Sequence, residues 1–114
     1  MTETLGQKQD RFARTLPGLL IFINALAKKH GFRVSLGDFF RDPRVHGEMG
    51  IKLAYGHKDS CHKLKLAVDI NFVIGVKIIS EYHDQAHDFW DTIGGAKRIP
   101  HDMNHYSFEH NGFR

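Results

Sequence analysis

Leu66-Ala67-Val68-Asp69-Ile70-Asn71-Phe72-Val73 alternates in a way only one backbone geometry uses, with Leu66, Val68, Ile70 and Phe72 on one side and Ala67, Asp69 and Asn71 on the other. Successive side chains of a strand point to opposite faces, so the run predicts a half-buried strand with polar groups on its open side. Ile74 and Gly75 then predict a turn into a second strand over 76–79, making a hairpin. Working outward, 32–36 reads as a short strand and 105–109 as a last one. Ser80 is placed to cap a helix whose apolar residues Tyr82, Ala86, Phe89, Trp90 and Ile93 recur at helical spacing, and Gly94 with Gly95 ends it. Near the N-terminus, Phe12, Leu16, Leu19, Leu20, Ile23, Leu26 and Ala27 form a second helical stripe. It stops at Lys28, Lys29, His30 and Gly31, and Pro17 is expected to start or kink its second part. Residues 37–55 have no clear period and read as a loop with one helical turn, and long loops in compact domains tend to be functional. The expectation is an α+β fold, a small antiparallel sheet with helices on one face and a functional site on the other.

With 114 residues the chain is one domain's worth, 1–114, and its 41% hydrophobic content is that of a globular protein. Residues 16–27, the longest apolar stretch, are broken by Pro17, Gly18 and Asn24, too short and polar for a membrane span. Glu3, Gln7 and Asp10 occupy the place of a signal peptide's apolar region, so a product made in the cytoplasm is expected. The lone Cys61 cannot form an internal disulfide and is expected as a free thiol at the rim of the site. A net charge of +3 suits an anionic partner, and nucleic acid and anionic cell wall fit it equally. No concentrated Lys/Arg stripe with interleaved aromatics is present, so a metal-dependent nuclease is the weaker reading and no nucleic-acid partner is expected. A monomer is expected. Nine histidines are more informative, because imidazole is the commonest metal ligand and the usual proton carrier near neutral pH.

A hydrolytic metal site needs three protein ligands, an open position for water and a general base beside it. Ser60-Cys61-His62-Lys63-Leu64-Lys65-Leu66-Ala67-Val68-Asp69 offers His62 in a loop and Asp69 on the strand's open face, where small Ala67 leaves room. A carboxylate in an otherwise apolar strand is costly unless paired or metal-bound. His101-Asp102-Met103-Asn104-His105 offers two more groups, which reach one site only if a turn forms at Met103 and Asn104. Without chemistry, the same residues are a surface histidine near a strand carboxylate, a turn aspartate and a strand histidine.

The pattern SxHxxxxAxD followed by DxxH resembles the zinc D-alanyl-D-alanine carboxypeptidases and L-alanyl-D-glutamate endolysins, which share a fold with the signalling domain of hedgehog proteins. Residues 37–114 carry the resemblance, and the ending Asn104-His105-Tyr106-Ser107-Phe108-Glu109-His110-Asn111-Gly112-Phe113-Arg114 is similar to short phage-encoded members. The resemblance implies Zn2+ held by His62, Asp69 and His105, with Asp102 as catalytic base. It implies Arg41 as the arginine that contacts substrate and its developing oxyanion, Arg44 as the second choice, and Ser60 as a substrate-binding serine. Lys65 stands where many members have glycine, and Ser107 stands in the substrate region where many have glutamate. The implied activity is hydrolysis of peptidoglycan stem peptides by a phage endolysin that reaches the wall through a holin. A non-catalytic zinc-stabilised binding module is the alternative that hedgehog-type relatives permit.

His83-Asp84-Gln85-Ala86-His87 imitates the HExxH zinc motif with aspartate in the glutamate position. Both histidines fall at the polar edge of the apolar stripe, so a solvated helix face is expected. His46, His57, His101 and His110 read as loop or rim residues, with His46 and His57 flanking the cleft.

Overall fold

The computed structural model describes residues 2–54 and 56–114; of the loop expected over 37–55, Tyr55 lies outside the described residues. Helix α1, Leu5–His30, begins earlier than its apolar stripe. The reason is local: Thr4 and Gln7 form a reciprocal capping box that satisfies two otherwise unpaired amides. Pro17 sits inside the helix without ending it, and Gly31 closes it in the left-handed region at φ 77°. Strand β1 is Arg33–Leu36, and a single helical turn, α2, Pro43–His46, lies within the loop where one was expected, with Asp42 as its cap. A 3₁₀ turn, Cys61–Leu64, leads into β2, Ala67–Ile74, whose hairpin partner β3 is Lys77–Ile79. Helix α3, His83–Thr92, and β4, His105–Ser107, complete the chain.

Every other strand of the four-stranded sheet pairs with β2, all antiparallel. β1 lies along one edge of β2 with Ser35 opposite Asn71, β3 pairs with its far end, and β4 pairs with its beginning. Leu66, Val68, Ile70 and Phe72 are all buried against α1 and α3, through a core that includes Phe12, Leu19, Ile23, Trp90, Tyr106 and Phe108. Phe12 meets the Trp90 and Phe108 rings edge-on, at centroid distances of 6.0 and 5.2 Å, while Phe22 stacks on Phe89 and joins the two helices. Asp69 and Asn71 are left on the opposite side, as the alternation required.

Four expectations are corrected. α3 is not capped by Ser80: its N-cap is Tyr82, at φ 73° and with no side-chain cap, where the ring stacks on His30 and Phe32 and the chain turns sharply. β4 ends at Ser107 rather than Glu109. Cys61 is fully buried in the core rather than at a rim, and burial, followed by the charge of Glu109, pushes its thiol up to about 11. His83 and His87 do not form a solvated face; they are 2% and 0% exposed, and each ring is packed flat on an aromatic neighbour.

Candidate metal centre

Pairing between β2 and β4 places Asp69 directly opposite His105, with both side chains on the open face of the sheet. The turn required before His105 is present, closed by a hydrogen bond from the His105 amide to the Asp102 carbonyl at 3.1 Å. His62 arrives from the 3₁₀ turn, which Ser60 caps by accepting from the His62 amide. Lys65, at φ 58°, reverses the chain out of that turn into β2; a left-handed residue is needed where the resemblance places glycine.

His62 Nε2 lies 3.1 Å from Asp69 Oδ1 and 3.2 Å from His105 Nδ1, and the Asp69 and His105 atoms are 3.6 Å apart. His62 and His105 are buried, at 1% and 5% exposure, while the Asp69 side chain keeps 17%. The other nitrogen of His62 is 3.4 Å from the Phe39 carbonyl. A carbonyl can only accept, so when His62 ligates a metal its proton would stay on Nδ1 and the Nε2 lone pair would face the cation, whereas without metal Nε2 can donate to Asp69. Two ring nitrogens and a carboxylate oxygen thus converge within 4.8 Å of one another, a grouping that could hold a metal ion. Two imidazoles and a carboxylate are a donor set found at catalytic metals, and the backbone anchor on His62 is the usual second partner of a ligating histidine. Burial alone would raise the Asp69 carboxyl, but hydrogen bonding and charge from His105 and His62 outweigh it and hold it well below the usual carboxylate range.

Beside this cluster lies a cleft of about 410 Å³ whose lining includes Arg41, His57, Asp59, Ser60, Asp102 and His105. Asp102 is half-exposed, with Oδ2 4.0 Å from His105 Nδ1. Arg41 is held in place by Asp38 at 3.2 Å and by donation from Nη1 to Ser60 Oγ at 3.0 Å. Its guanidinium packs so closely over Gly56 that an added Cβ there would lie 2.5 Å from Nη1.

Two residues from the sequence reading are not brought to the cleft. Arg44 is 88% exposed and turns back onto Asp42 at 2.5 Å, and Ser107 is buried opposite Ala67, its carbonyl taken by Trp90. Of the flanking histidines, His57 lines the cleft, whereas His46 is buried at the end of α2. Sequence reasoning missed Lys63. Its buried ammonium donates to the carbonyls of Glu48, Ile51 and Lys58 and fastens the loop that carries Gly56 and His57. Three loop carbonyls answering one lysine leave no trace in a linear pattern. Among the described residues, no helix is long and apolar enough to cross a membrane. Comparison with known protein families, with curated proteins and with solved structures found no match.

Proposed function

We propose that the protein is a zinc peptidase that hydrolyses peptide bonds in bacterial peptidoglycan, of the hedgehog/D-Ala-D-Ala-peptidase type that its motifs resemble. The observation that carries this reading is the convergence of His62, Asp69 and His105 at one end of a cleft that also holds Asp102 and Arg41. When bound, zinc would lower the pKa of a coordinated water toward about 7 and polarise the scissile carbonyl. Asp102, half-exposed in the cleft, accepts the proton of the attacking water and passes it to the leaving amine. Arg41, fixed by Asp38 and Ser60, donates to the oxygen on which negative charge develops. A phage endolysin that meets the wall after holin-mediated release is the setting that belongs to this proposal.

The test is digestion of purified peptidoglycan by the zinc-loaded protein, with mass spectrometry of the released fragments. New peptide termini within the stem peptide are expected, together with loss of bound zinc in His62→Ala and His105→Ala. An intact wall despite one zinc per chain would instead identify a non-catalytic zinc module, and degradation of DNA with an intact wall a nuclease.

A further inference from the structure

We propose that His87 is a positioning residue for the metal centre, holding the turn that carries both Asp102 and His105. His87 Nε2 lies 2.7 Å from the Met103 carbonyl, and Met103 is inside the Asp102-to-His105 turn. That carbonyl can only accept, so the Nε2 proton is committed to the turn. The ring cannot swing away: it is fully buried and stacked on Tyr106, the residue after His105, at a centroid distance of 4.1 Å and 10° from parallel. Its Nδ1 is buried with no hydrogen-bond partner among the described residues, so the turn is the only polar contact that holds the ring.

His87 belongs to a stripe. His83, His87 and Trp90 fall on one face of α3, and each engages the segment that follows: His83 Nδ1 lies 2.7 Å from the Tyr106 hydroxyl, and Trp90 Nε1 donates to the Ser107 carbonyl at 2.9 Å. Trp90 and His83 thus hold β4, and His87 alone of the three holds the turn in front of it. Two adjacent groups of the site, the proposed base and a proposed ligand, depend on that turn for their spacing. One of the two histidines that imitate a zinc motif, His87, therefore serves the metal from behind, through the backbone.

This inference rests on the metal centre proposed above, and one of its readouts does not need metal. In the metal-free protein, hydrogen exchange of the His105 amide, which closes the turn, is expected to accelerate in His87→Leu beyond the change in Leu19→Ala, a core variant on α1 compared at matched stability. Zinc affinity, read by competition with a chromophoric chelator, is expected to fall roughly 10–100-fold in His87→Leu. It should recover to within a few-fold in His87→Gln, whose amide can still donate from the Nε2 position, and stay at the wild-type value in Leu19→Ala. Unchanged exchange in His87→Leu overturns the proposal whether or not zinc binds, and so does equal loss of affinity in Leu19→Ala. If His87→Leu does not fold, His87→Gln is compared with His87→Asn, whose shorter amide stops short of the carbonyl; equal affinity and equal exchange in that pair would also overturn it. A wild-type chain that binds no zinc would sink the metal centre itself, while the exchange readout still decides the role of His87 in the turn.

Discussion

Asp69 and Asp102 are both carboxylates near His105, yet their surroundings differ, and the proposed function gives them different tasks. Asp69 is mostly buried on β2 and sits 3.1 Å from one imidazole and 3.6 Å from the other, the position of a ligand. Asp102 is half-exposed in the cleft and 4.0 Å from His105, free to approach a water or a substrate. Removing a ligand should lower metal affinity and folded stability together, because metal binding is coupled to folding. Removing a base should leave both nearly intact and cost on the order of 10²–10⁴ in rate. Metal content, melting temperature and turnover of Asp69→Ala and Asp102→Ala therefore separate the two roles, and a zinc-free Asp102→Ala beside a zinc-loaded Asp69→Ala would reverse them. Arg41→Ala belongs in the same series, with metal retained and turnover impaired, since a guanidinium offers donors but no lone pair to a cation. Wild-type turnover in Arg41→Ala would remove it from the mechanism.

At the scale of elements, the join between α3 and β4 is where the fold and the site meet, and Gly95 shows how tightly it is made. An added Cβ on Gly95 would lie 2.0–2.3 Å from atoms of the Trp90 indole, the ring that donates to the Ser107 carbonyl. Gly95→Ala must push that ring aside, which overpacks the core and breaks a buried hydrogen bond. A loss of about 3 kcal/mol in urea unfolding is expected, and a change below about 0.5 kcal/mol would mean the indole has room to move. None of this closeness can be read from Gly94-Gly95 as a helix stop, which is all a linear pattern offers. The strand over 66–73 was legible because a period of two is a property of the chain itself, and Asp69 was conspicuous as a carboxylate on it. The meeting of Asp69 with His105 was expected only through the resemblance of the two motifs, because no linear period shows the β2–β4 register that joins residues far apart in sequence. His83 and His87 were misjudged for a related reason: a histidine counts as polar until its partners are known, and theirs are a tyrosine hydroxyl and a turn carbonyl from the following segment.

For the whole molecule, those two buried imidazoles make folding depend on pH. Burial, followed by the nearby His87, pushes His83 down to about 4, against the ordinary 6.5, and burial lowers His87 as well. The groups facing His83 are the Phe72 ring, the Tyr106 hydroxyl, His87 and Asp84, and only Asp84 favours its charged form, too weakly to prevail. The unfolded chain takes up the His83 proton near pH 6.5, while the folded chain refuses it until about pH 4. Between those values the unfolded state binds more protons, so stability rises with pH. The contribution of neutral His83 is fully present above about pH 6.5 and is lost progressively as the pH falls toward 4, by up to about 1.4 kcal/mol per pH unit and about 3 kcal/mol in all. Urea unfolding across that window, run with a chelator so that protons do not compete with a metal at His62 and His105, should show the slope in the wild type. His83→Leu should make it shallower, leaving the part due to His87, because the leucine carries nothing to protonate, although its stability at pH 7 will be lower for want of the bond to Tyr106. A slope equally steep in His83→Leu would place the acid sensitivity elsewhere, and a flat wild-type profile would mean that the imidazole is protonated in place without cost.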